Sequence, residues 1–176
     1  VVPGVITLTQ LTTILKMLIK EEVGIRNFDQ ILQAIAENGP KSTSERILLE
    51  EVRVALKRVI SVRFGDDTST VKAMVLDPLL DLMFAKVERE GKEIDPAIVE
   101  VMVDALKNPE GSELPQRITL VVSKAARRVI AECLALRGIR CVVLAYDEIS
   151  DDIQLEVISR IESPTSKDKL IMDLAA

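Results

Sequence analysis

The stretch Ile118–Ile149 restricts the fold more than any other part of the chain, because it combines two buried strands with a capped helix. The first strand is Ile118–Val122, a short run of β-branched and apolar residues. Ser123 follows as an N-cap, and Gly138 stands where a left-handed residue ends a helix. The second strand is Cys141–Ala145. Because parallel strands joined through a helix form a right-handed crossover, the sequence predicts one such βαβ unit.

The amino-terminal part carries the apolar periodicity of helices. Helices are predicted from Thr7 to near Gly24, over Asn27–Glu37 and over Ser44–Val62, the last with one continuous apolar face. Short turns join these helices, so they should pack on one another. We therefore expect residues 1–65 to form a mainly helical subdomain.

The polar stretch Phe64–Thr70 is the best candidate for a subdomain boundary. A strand at Val71–Leu76 and helices opened by Asp77-Pro78 and Asp95-Pro96 follow it. Alternating residues near Ile153–Ile161 suit an edge strand with one wet face. The predicted fold class is α+β. It comprises a helical subdomain at 1–65, a small α/β subdomain at 66–162 with a mixed sheet and one right-handed βαβ crossover, and a C-terminal tail at 163–176.

Composition disfavours an enzyme and a nucleic-acid binder. The chain has no histidine, which removes Ser/His and Cys/His catalysis and most zinc sites. A net charge of −5 disfavours binding to phosphates, and 2% aromatic residues leave few side chains on which bases could stack. Cys133 and Cys141 read as small apolar residues in a reducing compartment. No run is long enough to cross a bilayer, and the start at Val1 suggests a fragment of a longer protein.

Two places could hold a ligand. Ser123 and Lys124 open a helix after a strand, but the glycine-rich loop of a phosphate site is missing, so an ordinary N-cap is the favoured reading. An acidic turn follows the second strand and reads as solvated surface; it contains Asp147, Glu148, Asp151 and Asp152. We predict no cofactor and no metal. A small nucleotide- or metabolite-binding α/β domain using these strand ends stays open as the alternative.

A basic stripe on the third helix is the best interaction signal of the helical subdomain. Arg46, Arg53 and Lys57 are predicted to lie along one outward side. Arg53 and Lys57 repel at four-residue spacing, which is tolerated more easily when a partner supplies acid. By contrast, Arg128 is followed four residues later by Glu132. An ion pair within the helix therefore accounts for Arg128 without a partner molecule.

Several stretches in order resemble a known family. They are Val2-Pro3-Gly4-Val5, the run Leu15–Asn27, the helix Ile31–Glu37 and the closing Leu144-Ala145-Tyr146-Asp147-Glu148-Ile149. Together they resemble the large export-gate protein of bacterial type III secretion over residues 1 to about 162. The amino-acid sequences of these stretches resemble the virulence injectisome branch more than the flagellar branch.

The resemblance implies that this chain is the third and fourth subdomains of a cytoplasmic part, with membrane helices upstream of Val1. Such proteins form a nine-membered homo-oligomeric ring at the cytoplasmic face of a bacterial inner membrane. Chaperone–substrate complexes dock in clefts involving the fourth subdomain, and other export-apparatus proteins are further partners. No family motif assigns catalytic residues here.

The sequence therefore predicts a non-enzymatic, ring-forming and docking module of a protein-export gate. The hypothesis for the contact with the next subunit rests on basic residues of the helical subdomain, namely Arg26, Arg46, Arg53 and Lys57. The hypothesis for partner docking rests on Asp147 and Glu148, at the acidic tip of the crossover.

Overall fold

The computed structural model describes residues 2, 4–42, 44–91, 93–107 and 118–163. Two compact units emerge: Val1–Val71 with Asp147–Gln154, and Lys72–Tyr146 with Leu155–Ala176. The predicted loop Pro109–Pro115 and the predicted tail beyond Ser163 lie outside the described residues. The subdomain boundaries placed at 65 and 162 stay a prediction.

The first unit is helical, as its apolar periodicity predicts. Its helices are α1 (Leu8–Lys20), α2 (Phe28–Asn38), α3 (Glu45–Ala55) and α4 (Lys57–Phe64). Helix α1 begins at Thr7 with a capping box, in which the Thr7 hydroxyl accepts the Gln10 N–H and the Gln10 side chain accepts the Thr7 N–H. This reciprocal pair satisfies two donors that a helix start leaves free.

Two helix ends differ from the prediction. Helix α1 ends at Lys20 rather than near Gly24, and Glu22 adopts a left-handed φ of 60° just after it. The single helix expected over 44–62 is wrong, because Leu56 interrupts it and separates α3 from α4. The Leu56 N–H donates to both the Val52 and the Arg53 carbonyls, which tightens this turn.

The second unit contains most of a four-stranded sheet in the order β3-β2-β1-β4. Its elements, with β1 and β4 each beginning in the first unit, are β1 (Thr70–Leu76), α5 (Pro78–Glu90), α6 (Pro96–Lys107), β2 (Thr119–Val122), α7 (Lys124–Leu136), β3 (Val142–Ala145) and β4 (Gln154–Ile161). A 3-10 turn, Tyr146–Glu148, follows β3.

The strands are parallel, so the mixed sheet predicted from the sequence is wrong. Met74 of β1 lies opposite Leu120 of β2, and Leu120 lies opposite Val143 of β3, both in parallel register. Strand β4 runs the same way beside β1, since Lys72 lies near Glu156 and, further on, the Asp77 N–H donates to the Ile161 carbonyl at 2.8 Å. The predicted α+β class and the position of β4 at a sheet edge are confirmed.

The predicted crossover β2–α7–β3 is confirmed, together with the local signals that define it. The Ser123 hydroxyl accepts the Ala126 N–H, and Gly138 has φ 68°. The core beneath it is formed by buried side chains of strands and helix, including Leu120, Val122, Ala126, Ile130 and Leu134. Both cysteines are free and half-buried. Among the described residues, no helix is long and apolar enough to cross a membrane.

Candidate functional site

Arg53 in the first unit is a cation inside an apolar core. Its side chain is only 1% exposed. Helix α3 causes this burial, because Leu49 lies four residues before Arg53 and Leu56 three residues after it, and both are buried. The guanidinium therefore points where an apolar side chain would ordinarily go, and a charge in that position needs close partners.

Two carboxylates surround the Arg53 guanidinium. Its Nε and Nη2 donate to the two oxygens of Glu148, each at 2.7 Å, and its Nη1 donates to Glu21 Oε2 at 2.7 Å. The Glu148 side chain is 0% exposed, whereas Glu21 reaches the surface. A bidentate fork of this kind is the strongest geometry open to an arginine and a carboxylate. We call Glu21, Arg53 and Glu148 the Arg53 cluster.

The segment Asp147–Gln154 is fastened to α4 beside the Arg53 cluster. The Ser61 hydroxyl donates to the Glu148 carbonyl at 3.0 Å and accepts the Ser150 N–H at 2.8 Å. Lys57 Nζ lies 3.0 Å from Asp151 at the surface. Buried backbone groups outside regular structure need partners, and a serine that both donates and accepts supplies two of them.

Serine groups engage two further acidic side chains, one in each unit. The Ser150 hydroxyl donates to Asp152, and this hydrogen bond is the main cause that lowers the pKa of the Asp152 carboxyl. In the second unit, Asp81 of α5 accepts the Ser123 N–H at 2.9 Å and the Ser123 hydroxyl at 2.7 Å. Among the described residues, no group of three or more histidines, cysteines or acids is arranged to hold a metal ion.

The structure alters one member of the proposed basic stripe. Arg26 and Arg46 are exposed and Lys57 is partly exposed, so these three can meet another molecule. The prediction that Arg53 lies on the outward side is wrong, because α3 turns it into the core, where two acids of the same chain neutralise it. The ring-contact roles of the exposed residues stay a prediction.

Of the two acids proposed for partner docking, one is exposed and the other is buried. Asp147 is exposed, as a docking residue must be. Glu148 is fully buried, and both of its carboxylate oxygens accept from Arg53, so its reading as exposed docking surface is corrected. One signal was available in the sequence: Arg53 continues the apolar stripe of α3, at helical spacing from Leu49 and Leu56.

Comparison with curated proteins gives a flagellar relative. The chain is 31% identical over 164 residues to the flagellar biosynthesis protein FlhA of Yersinia enterocolitica. The match covers 91% of this chain and 23% of FlhA, so the chain spans about a quarter of that relative.

Comparison with solved structures gives the same fold. CdsV, in the structure of the Chlamydia pneumoniae CdsV and CdsO protein complex, superposes with a TM-score of 0.79 at 25% identity, over 89% of this chain and 47% of that one. The nonameric EscV cytosolic domain from the type III secretion system superposes with a TM-score of 0.69 over 88% of this chain and 47% of that one. At 24% identity, the likeness to EscV shows the fold alone.

These likenesses agree with a family assignment made on sequence. The profile of the FHIPEP family matches residues 1–154, which include all of the first unit and the crossover of the second. The chain therefore belongs to the FHIPEP family.

Proposed function

We propose that this chain is a ring-forming and partner-docking part of a type III protein export gate and that it carries out no catalysis. The match of the FHIPEP family over residues 1–154 is the observation that carries the proposal. The names of the relatives support it, since FlhA is a flagellar biosynthesis protein and EscV belongs to a type III secretion system. The nucleotide- or metabolite-binding alternative receives no such support.

Partners and location are part of the same proposal. EscV is described as nonameric, which supports a homo-oligomeric ring of nine copies here. CdsV is described in a complex with CdsO, which supports docking of another export-apparatus protein. We further propose chaperone–substrate complexes as partners and the cytoplasmic face of a bacterial inner membrane as the location. The injectisome branch stays a prediction, because the flagellar relative has the higher identity.

The exposed cations of the first unit are the proposed ring contacts. Arg26 and Arg46 are exposed, and Lys57 is partly exposed and pairs with Asp151 at the surface, whereas Arg53 is buried in its pair with Glu148. Asp147 is the accessible acid proposed to meet a docked partner. The contacts of these residues are electrostatic and at the surface, so each is expected to set orientation and association rate more than affinity.

Ring assembly tests this proposal. We would introduce Arg46→Glu with Lys57→Glu into the full export-gate protein and count rings by electron microscopy after purification. Fewer rings are expected, because like charges would face the acid of the next subunit. Arg58→Glu, an exposed charge reversal outside the stripe, is the matched control. If assembly were unchanged in the double variant Arg46→Glu with Lys57→Glu, as it should be in the Arg58→Glu control, the basic stripe would not form the ring contact.

A ligand screen tests the alternative. Thermal unfolding of this chain would be followed with millimolar nucleotides and divalent cations. A ligand that binds the folded state raises the melting temperature by mass action. Because the proposed function involves no such ligand, no change in melting temperature is expected. A reproducible rise with one nucleotide or cation would favour the nucleotide- or metabolite-binding alternative.

A further inference from the structure

Helix α1 of the first unit carries apolar side chains on its outer side. Leu8 is 68% exposed and Ile19 is 57% exposed, and half-buried Leu15 lies between them in sequence. Their separations of seven and four positions place all three on one face of the helix, and we call them the α1 stripe. A neighbouring face packs α1 into the unit through the buried residues Leu11, Ile14 and Leu18. The α1 stripe is therefore apolar surface beyond what this packing uses.

The charges of α1 all have one sign. Its sequence, LTQLTTILKMLIK, contains no acid, and its two cations, Lys16 and Lys20, are exposed. Each lysine stands one position after a residue of the α1 stripe. Within the part of the chain that the structure describes, no ion pair engages either lysine. The acids that follow the helix, Glu21 and Glu22, pair with arginines of α3 and α4.

Helix α2 carries the opposite charge beside a similar apolar face. Phe28 is 41% exposed, and half-buried Leu32 and Ala36 follow it at four-residue spacing; we call these three the α2 stripe. The acids of α2, Asp29 and Glu37, are exposed, and each stands one position after a residue of the α2 stripe. The helix sequence, FDQILQAIAEN, contains no cation. The two helices thus match in pattern and differ in sign.

The acid near the end of α2 is poorly placed for its own helix. The helix macrodipole favours a cation in the last turn, and Glu37 stands there instead. Its carboxylate accepts the Gln33 side-chain amide at 3.0 Å, a hydrogen bond that does not neutralise the charge. Arg26 precedes the helix, and among the described residues no ion pair joins it to Asp29. A cation from another molecule would therefore improve the electrostatics of α2.

The signs of the charges decide which faces can meet between two copies. A contact of α1 with α1 would oppose lysines, and a contact of α2 with α2 would oppose acids. Like charges across an interface cost free energy, whereas α1 against α2 pairs cations with acids and buries both apolar stripes. Because α1 and α2 are different surfaces of one unit, this contact is heterologous. A heterologous contact repeats from copy to copy until a ring closes or a filament grows.

We propose that the α1 stripe of one copy, with its lysines, packs against the α2 stripe of the next copy, with its acids. The inference rests on the proposed ring-forming function and deepens it, because it names the two faces that meet. Apolar burial supplies affinity, and the lysine–carboxylate pairs select the partner face. Two helix faces alone bury less than the roughly 800 Å² per partner of a stable interface, so the full export-gate protein is the material for the test.

Disulfide trapping tests the contact directly. Leu15→Cys and Leu32→Cys, each in the middle of its stripe, would be introduced together, and the oxidised protein would be separated on a denaturing gel and mapped by peptide analysis. A disulfide requires Cα atoms within about 7 Å, so it reports only positions that face each other. A ladder of linked subunits is expected from the double variant and from neither single variant. The wild type, which keeps Cys133 and Cys141, gives the background.

Charge exchange provides a second test that needs no cysteine. Lys16→Glu with Lys20→Glu is expected to lower the number of rings counted by electron microscopy about tenfold at fixed protein concentration, because acids would then face the acids of α2. Adding Asp29→Lys with Glu37→Lys makes the facing charges opposite again and should restore the rings.

The matched control reverses two exposed cations elsewhere. Arg58→Glu with Lys86→Glu makes the same change in net charge as the α1 variant and should leave the number of rings unchanged. All of the exchanged side chains are exposed, so the fold should be retained, and thermal unfolding of every variant verifies this.

The outcomes separate this contact from the proposed function. A ladder in the double variant, together with loss and rescue of rings by charge exchange, is the expected result. Rings in the wild type with no ladder and no effect of the charge changes would overturn the contact and leave the ring-forming function in place. A disulfide dimer from Leu15→Cys alone would also overturn it, because α1 would then meet α1. A wild type without rings would refute the proposed function and this inference with it.

Discussion

Arg53 of the first unit and Arg128 of the second are satisfied by their partners in different ways. In the first unit Arg53 is 1% exposed, and its partners Glu21 and Glu148 are distant in sequence, 32 and 95 residues away. In the second unit Arg128 is 14% exposed, and it bonds Glu132 four residues on as well as Glu88. The Arg128 pair with Glu132 was predicted from spacing and is confirmed. The Arg53 cluster was not predicted.

The difference shows how the surroundings of an arginine–carboxylate pair decide what its loss costs. Arg128 is partly exposed and so are both of its carboxylate partners, Glu88 and Glu132, so solvent can partly compensate the loss of one partner. Around Arg53, the protein supplies all of the solvation, and removal of one acid leaves a charge in the core. Measurements on variants of both units would break or sharpen this comparison.

The largest effect is expected from Glu148→Ala. Removing one partner of a buried ion pair destabilises a protein by about 3–5 kcal/mol, and urea unfolding monitored by circular dichroism should show a loss of this size. Lys57→Ala breaks the surface pair with Asp151 and is the control, with an expected loss of about 0–1 kcal/mol. A Glu148→Ala variant as stable as Lys57→Ala would mean that Arg53 finds water or another acid.

The companion variant Arg53→Met with Glu148→Leu tests whether the uncompensated charge causes the loss. Replacing both charges by apolar side chains of similar size is often nearly neutral. This double variant should therefore be clearly more stable than Glu148→Ala. Equal instability would point to lost backbone contacts of the Asp147–Gln154 segment instead.

Asp81→Ala should have the second largest effect. Its carboxylate receives two hydrogen bonds from Ser123, which joins the first turn of α5 to the cap of α7. Hydrogen bonds to a charged group contribute about 1.5–3 kcal/mol, so a loss near 2 kcal/mol in urea unfolding is expected. Asp104→Ala, an exposed acid on α6, should change stability by less than about 0.5 kcal/mol.

The same aspartate should be visible through Tyr146, the sole tyrosine of the chain. Burial raises the pKa of Tyr146, the Asp81 charge raises it further, and Arg160 opposes them. Asp81→Asn is therefore expected to move the pKa of Tyr146 back towards 10, measured by ultraviolet absorbance against pH. An unchanged titration would leave burial as the whole cause.

Arg128→Ala should destabilise the second unit only moderately. The side chain is partly exposed and bonds Glu88 and Glu132. A loss of about 1 kcal/mol is expected, and Glu132→Ala alone should cost about 0.3–0.5 kcal/mol, the usual value of a four-residue helical pair. A loss as large as that of Glu148→Ala would erase the contrast between the two arginines.

The smallest effect concerns pH and Asp152. The folded-state pKa of Asp152 lies below 3.8, so its hydrogen bond with Ser150 stabilises the fold above that pH. The contribution is lost as pH falls through the lower folded pKa. Asp152→Asn should therefore be slightly less stable than the wild type at neutral pH, with the gap closing below pH 3.8 in acid titrations. A constant gap would exclude this linkage.

Elements with local determinants could be predicted from the sequence. The crossover β2–α7–β3 is one example, because Ser123 and Gly138 mark the two ends of its helix and both can be recognised in the sequence. The break at Leu56 could not be predicted, since the apolar periodicity continues through it. The parallel direction of β4 was also missed, because alternation along a strand reports a wet face and not the direction of its neighbour.

The candidate site was predicted less well than the fold. Exposed Arg26, Arg46 and Asp147 agree with the accessibility that the sequence implied. Arg53 and Glu148 were each assigned to a surface, and their partnership has no counterpart in local spacing, because 95 residues separate them. An ion pair of this type becomes visible only when the packing of the apolar stripe on α3 is known.

The discontinuity of the first unit has a consequence for synthesis on the ribosome. Domains made of one continuous stretch fold as they emerge, amino-terminal first. Here the first unit lacks Glu148 until nearly the whole described chain has been translated, because Asp147–Gln154 belongs to it. Until then Arg53 lacks one of its two acids, so the first unit is completed only after residues 72–146 of the second unit have been translated. The first unit therefore cannot finish folding while residues 1–71 emerge, and it does so only late in synthesis.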